Sequence, residues 1–223
     1  MNFKPLFLAL ACTAIFAASQ ASATVLVNGG FEDSTGNWTM SPTAAPGWST
    51  TAGDHQMEIW SNGFMGVSSY EGNYFMELNG NQMATVYQDV QGLTAGDLIS
   101  LNFAHRGRVT SESMRVTLTD LGTDGLYGTA DDVTLFSQIY TNGTSAWSYY
   151  TTGATTATGD TVRISFESLV QGSYGNFIDA VALNAESAAA PEPGTWAALL
   201  LLVLGSFGSS VLRRKGFAVA AAR

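Results

Sequence analysis

The chain has 223 residues, 46% hydrophobic and only 12% charged, with 24 glycines, one cysteine and a formal net charge of −9. This acidic balance argues against a nucleic-acid partner, whose phosphates need a basic surface. The single cysteine, Cys12, rules out a disulfide framework and a cysteine-based metal site.

In chain order, Lys4 supplies a positive start, residues 5–18 are apolar, and Ala21-Ser22-Ala23 is a small-residue cleavage site. That order predicts a secretory signal peptide over residues 1–23, cut after Ala23. Cleavage removes Cys12 and leaves Thr24 as the mature N-terminus. Residues 24–190 carry 17 acidic side chains and four basic ones, Arg106, Arg108, Arg115 and Arg163, for a net charge of −13 without a lysine. Such a charge suits a soluble segment outside the cytoplasm and accommodates divalent cations.

No stretch between 24 and 184 keeps a helical period for three turns. Alternating apolar and polar residues bounded by Gly, Asn, Asp and Thr recur instead, which predicts strands. The clearest lie at 74–79, 84–90, 98–105, 114–120, 133–140, 147–152, 161–167 and 176–183, with shorter ones at 24–27 and 57–60. Alternation assigns Ile99, Leu101 and Phe103, then Met114, Val116 and Leu118, then Val162, Ile164 and Phe166, to the buried faces. The expected fold is all-β, a two-sheet antiparallel jelly-roll sandwich over residues 24–184.

Beyond it, residues 185–195 are an Ala- and Pro-rich linker containing Pro191-Glu192-Pro193. Residues 196–212 are an uncharged run of the length of a short transmembrane helix, and residues 213–223 begin with the basic cluster Arg213-Arg214-Lys215, expected to stay cytoplasmic.

Several residues are candidates for chemistry. Asp120, Asp124 and Asp131 stand at positions 1, 5 and 12 of an acidic loop with Gly125 at position 6, a partial match to a calcium loop. Gly122 breaks the match at position 3, and the other reading is a long hairpin whose Asp and Gly residues serve turn geometry. No catalytic residue is assigned. The two histidines, His55 and His105, show no metal-pair spacing, and no G-x-S-x-G context surrounds a serine. Paired carboxylates for glycan cleavage would have to come from Glu58, Glu77 or Glu167.

For ligand binding the candidates are Trp60, Glu77, His105, Arg106 and Arg108, which combine an aromatic ring with groups that hydrogen-bond sugar hydroxyls. The clustered His105-Arg106-Gly107-Arg108 also invites a carboxylate in so acidic a segment. The competing reading pairs Arg106, Arg115 and Arg163 with Glu77 and Glu167 across neighbouring strands and places Trp48 and Trp147 in the core.

Val27-Asn28-Gly29-Gly30-Phe31-Glu32 near the start of this segment, Pro46-Gly47-Trp48, and Gly175-Asn176-Phe177-Ile178-Asp179-Ala180-Val181 near its end resemble the galactose-binding-like β-sandwich of many carbohydrate-binding modules. The resemblance implies that the opening and closing strands lie together. It also implies a structural calcium ion held by Glu32, Asp179 and backbone carbonyls.

The tail, with Pro191-Glu192-Pro193, the apolar run and Arg213-Arg214-Lys215 in that order, resembles the PEP-CTERM sorting signal of Gram-negative bacteria. That resemblance implies recognition and cutting by an exosortase-type transpeptidase, a transient inner-membrane anchor, and release to the cell surface or extracellular matrix, often beside exopolysaccharide. A plain C-terminal anchor is the alternative.

The sequence thus points to an exported, noncatalytic β-sandwich that binds extracellular polysaccharide or biofilm matrix. A structural or adhesive matrix protein with protein partners is the second reading, and a secreted glycan-active enzyme the third.

Overall fold

The computed structural model describes residues 21–22 and 26–187. The expected signal cleavage site, apart from Ala21–Ser22, lies outside the described residues. So do the Pro-Glu-Pro motif, the 196–212 span and the basic cluster. No helix among the described residues is long and apolar enough to cross a membrane.

Among the described residues, thirteen strands form two antiparallel sheets: β1 (Ala21–Ser22), β2 (Trp38–Ser41), β3 (Ser49–Thr50), β4 (Met57–Ser61), β5 (Tyr74–Glu77), β6 (Thr85–Gln91), β7 (Leu98–Arg106), β8 (Glu112–Asp120), β9 (Val133–Asn142), β10 (Ser148–Thr151), β11 (Thr155–Thr156), β12 (Thr161–Ser168) and β13 (Phe177–Glu186). Sheet A runs β10-β7-β13-β5-β4-β2, with β1 added to β13 and β11 to β7; sheet B runs β3-β6-β12-β8-β9. The sandwich is the expected all-β architecture.

The core lies between the sheets and follows the alternation. Sheet A contributes Met57, Ile59, Met76, Ile99, Leu101, Phe103 and Ile178, and sheet B contributes Val86, Met114, Val116, Leu118, Val162, Ile164 and Phe166. Phe103 and Phe166 meet edge to face across the core at 5.4 Å between centroids, and Trp48 packs on Phe31 and Phe166.

Four strands were not expected: β1, which lies within the expected signal peptide, and β2, β3 and β11, which span only two to four residues each. The expected strand at 24–27 does not appear in its described part, because Gln88 serves Val27 instead of a neighbouring strand. The Gln88 side chain accepts from the Val27 amide at 2.7 Å and donates to the Val27 carbonyl at 2.9 Å. β13 runs on to Glu186, two residues past the expected close of the sandwich.

β13 also contains a bulge between Asp179 and Ala182, where two residues oppose one on β7. Ala180 there has φ 50°. The extra residue returns Val181, Leu183 and Ala185 to the core side while Ile178 stays there.

The alternation is testable. Phe166→Ala removes a fully buried ring and is expected to cost about 3–5 kcal/mol in chemical denaturation. Ile139→Thr, on the exposed face of β9, is expected to shift stability by no more than about 0.5 kcal/mol.

Candidate functional site

Sheet A buries side chains on its outer face too. Trp60, Phe75 and Phe177, from β4, β5 and β13, form a second apolar cluster, with Phe64, Val67 and Trp147 packed against it. Residues 62–73 lie over this face, including a short 3₁₀ turn, Phe64–Gly66. Trp147 donates its indole N–H to Ser68 O at 2.8 Å and so holds that covering segment.

Two carboxylates are set into this apolar ground on neighbouring strands, in register. Glu58 Oε1 accepts the indole N–H groups of Trp38 and Trp60 at 2.5 and 2.7 Å. Glu77 accepts Arg108 Nη1 on both oxygens at 2.6 Å and the Gly175 amide at 2.9 Å. Burial pushes the Glu77 carboxyl up to about 8; Arg108 opposes that shift and the Glu58 charge adds to it. The Arg108 guanidinium carbon lies 4.6 Å from the Trp60 ring centroid and 4.2 Å from that of Tyr174. Trp60, Met65, Val67, Arg108, Val109 and Tyr174 line a pocket of about 310 Å³.

Of the five expected ligand-binding residues, the structure therefore brings Trp60, Glu77 and Arg108 together. Arg106 lies on the same face, opposite Phe177. Arg106 does not pair with Glu77; its neighbour Arg108 does. Arg115 pairs with Glu167 as anticipated, but Arg163 takes Asp89.

His105 is a correction. The chain alternates along β7, so its ring points to the opposite side, fully buried, with Nε2 2.7 Å from Asn176 Oδ1. Burial pulls it down to about 4. It is a neutral interior side chain with no access to a ligand.

Glu32 and Asp179 grip one loop from two ends. Glu32 accepts the Asn73 and Tyr74 amides at 2.8 and 2.9 Å and the Asn73 side-chain amide at 3.3 Å. Asp179, fully buried, accepts the amides of Tyr70, Glu71 and Ala180. Burial raises its carboxyl to about 7 against the pull of those amides, and the Glu71 charge adds to the rise. Gly29 O accepts the Val181 amide at 3.0 Å, so the opening segment and the last strand do touch. Among the described residues, no group of three or more His, Cys, Asp or Glu is placed to hold a metal ion.

The acidic loop at 121–132 uses its carboxylates for turns. Asp120, almost fully buried, accepts Gly122, Thr158 and Gly159 amides. Asp124 accepts the Leu126 amide, and Asp131 accepts the Thr123 amide and the hydroxyls of Thr123 and Thr129. Hydrogen bonds, with that of Thr129 first, hold the Asp131 carboxyl down at about 2. Asp120 thus ties the loop to the β11–β12 turn, away from the donors that engage Asp131.

The same loop completes a site that the sequence reading did not single out. On the outer face of sheet B, the Arg163 guanidinium lies between Tyr87 at 3.9 Å and Tyr127 at 4.3 Å and pairs through two nitrogens with Asp89 at 2.6 and 2.7 Å. Arg115 and Glu167 pair on the same face, four residues further along β8 and β12. Tyr127 is 58% exposed. The strip thus combines an open aromatic ring with donors and acceptors in both senses. Alternation shows that Tyr87, Arg115, Arg163 and Glu167 face outward. Only the folded loop brings Tyr127 to Arg163, 36 residues away in the chain.

No family model matches the chain, and no curated protein matches it. Solved structures do. A cyclase from Fischerella sp. TAU is similar with a TM-score of 0.55 and 18% identity, covering 77% of this chain and all of its own. The CBM22-1 xylan-binding domain of Paenibacillus barcinonensis Xyn10C is similar with a TM-score of 0.51 and 11% identity, covering 78% of this chain and all of its own. At these identities the likeness establishes the β-sandwich fold, and one fold carries both an enzyme and a binding domain.

Glu77 and His105 give opposite pH dependences. A carboxyl raised from 4.5 to about 8 contributes stability fully below pH 4.5 and loses it as pH rises through 8. A histidine lowered from 6.5 to about 4 contributes fully above pH 6.5 and loses it as pH falls through 4. The melting temperature is therefore expected to decline from pH 7 to pH 9. Glu77→Gln, which keeps an acceptor for Arg108, is expected to flatten that decline in thermal melts across the range.

Proposed function

We propose that this protein is an exported, noncatalytic β-sandwich that binds extracellular polysaccharide along the outer face of sheet B. The observation that carries the reading is Arg163 between Tyr87 and Tyr127, paired with Asp89, with the Arg115–Glu167 pair further along the same strands. The apolar face of a sugar ring stacks on an exposed tyrosine, and its hydroxyls take carboxylates and guanidinium groups. Pairing each arginine with a carboxylate fixes both side chains before a ligand arrives, which lowers the ordering cost of binding.

Similarity to a domain described as xylan-binding supports a glycan ligand. The candidate catalytic carboxylates support binding over cleavage. Glu58 and Glu77 are buried and occupied by indole, guanidinium and amide donors, whereas Glu167 lies on the other sheet in an ion pair. A hydrolytic pair needs both carboxyls open to one substrate.

The proposal extends to the chain ends. The signal peptide exports the protein, and Pro191-Glu192-Pro193 with Arg213, Arg214 and Lys215 directs exosortase-type processing at the inner membrane and release to the cell surface. Calcium belongs to the same reading. Glu32 and Asp179 meet loop 70–74 from its two ends, and a hard cation there would take these two carboxylates together with backbone carbonyls.

Affinity electrophoresis of the full-length protein in gels containing xylan, galactan or the producer's own exopolysaccharide tests the glycan. Retardation by at least one of them is expected. Tyr127→Ala, at an exposed loop position, is expected to weaken it about tenfold, the loss of one stacking contact of ~1.5 kcal/mol, without changing the melting temperature. Absence of retardation in all of them would return the adhesive, protein-binding reading. For the ion, EDTA is expected to lower the melting temperature, and calcium to restore it. An unchanged melt would show that the amides alone neutralise Glu32 and Asp179.

A further inference from the structure

We infer that the pocket around Arg108, on the outer face of sheet A, is a second binding site and takes the carboxylate of an acidic saccharide such as a uronate. It lies on the opposite sheet from the polysaccharide strip and rests on that reading only for the ligand being a sugar.

Arg108 has five N–H donors, and only those of Nη1 have a protein acceptor, Glu77. Among the described residues, Nε and Nη2 have none. The guanidinium is clamped between Trp60 and Tyr174 and lines the pocket, with its side chain 17% exposed. A planar cation held between two rings, with donors left over, is matched by a planar anion that accepts two of them.

The nearby acids do not compete for that anion's place. Glu58 is closed off by two indoles, Glu77 by Arg108 and the Gly175 amide, and Glu112 by the amides of 108–110. Arg106 adds a second positive charge on the same face, and no ion pair holds it among the described residues.

Both walls of the pocket are fixed from below. Glu112 Oε2 accepts the Arg108 amide at 2.6 Å, and a Cβ on the preceding Gly107 would lie 2.4 Å from Thr110 O, so only glycine fits that turn. Asn79, fully buried, donates to the carbonyls of Val170, Gly172 and Tyr174. A Cβ on Gly175 would lie 2.6 Å from the Asn79 side chain. Such support from buried side chains is what a preorganised site requires.

The rim is apolar and open. Met65, Val109 and Tyr174 are 73%, 57% and 57% exposed, and Met65 is held at φ 48°, a left-handed conformation costly for its side chain. An apolar rim around a buried cation fits a ring with C–H faces that carries its charge at one edge. A small inorganic anion offers nothing to that rim.

The experiment is calorimetric titration of the full-length protein with galacturonic acid oligomers, galactose oligomers of equal length, and a short peptide with a free C-terminal carboxylate. The galacturonate oligomer is expected to bind at least tenfold more tightly than either of the others. Arg108→Gln is expected to abolish that preference, and Tyr174→Ala, which leaves the Arg108–Glu77 pair in place, to reduce it about fivefold. Tyr127→Ala is expected to leave it unchanged. If Arg108→Gln fails to fold, Tyr174→Ala decides. Equal affinity for the neutral oligomer, equal affinity for the peptide, or a preference untouched by Tyr174→Ala overturns the assignment. Galacturonate binding that survives Tyr127→Ala while neutral polysaccharide binding is lost separates this site from the strip on sheet B.

Discussion

The structure depends on a carboxylate clamp at a single loop. Sheet A is apolar on both faces, so its outer cluster of Trp60, Phe75 and Phe177 must be covered, and the cover is irregular chain with unpaired amides. Glu32, from the opening segment, and Asp179, from the last strand, accept those amides from the two ends of residues 70–74. A buried amide without an acceptor costs about 1–3 kcal/mol. The clamp offsets part of that cost at the part-buried amides of Tyr70 and Glu71 and joins the two ends of the sandwich. Alternation after Ile178 turns Asp179 outward toward the loop, and the bulge that follows it returns Val181 to the core.

The clamp bears on function through the cover it fixes. With residues 62–73 in place, Trp60 is shielded and Met65 stands at the mouth of the pocket in which Arg108 lies. The protein therefore offers two unlike surfaces. Sheet B presents an open strip with balanced charges, the place proposed for the hydroxyls of a long polymer. Sheet A presents an open-rimmed pocket with a clamped cation, the place proposed for one charged unit. In a segment of net charge −13, each described arginine but Arg106 is paired with a carboxylate. Two of them, Arg108 and Arg163, are also held between aromatic rings, where a cation remains available to a ligand without free rotation.

Much of this was legible in the primary structure where period and face coincide. The inward residues of β7, β8 and β12 follow from strict alternation, since burial of one face requires it. Trp60, Glu77 and Arg108 were recognisable as a set by chemical type. The alternation that marks the core also places His105 on the buried side of β7, the same side as Phe103, and that parity argument was available for it. Arg106 and Arg108 are two residues apart, yet only the turn after β7 decides which reaches Glu77.

The amino-acid sequence by itself determined the all-β class, the inner faces of the main strands and the acidic character, because these rest on short-range period and composition. Tertiary structure alone decided the use of the polar groups. It turned Asp120, Asp124 and Asp131 into hairpin-shaping acceptors, matched Arg163 with Asp89, brought Tyr127 over a distant strand and set Glu32 and Asp179 on one loop. Hydrogen bonds and ion pairs act over about 3 Å, so their partners are fixed by which strands become neighbours, and no local pattern in the chain encodes that.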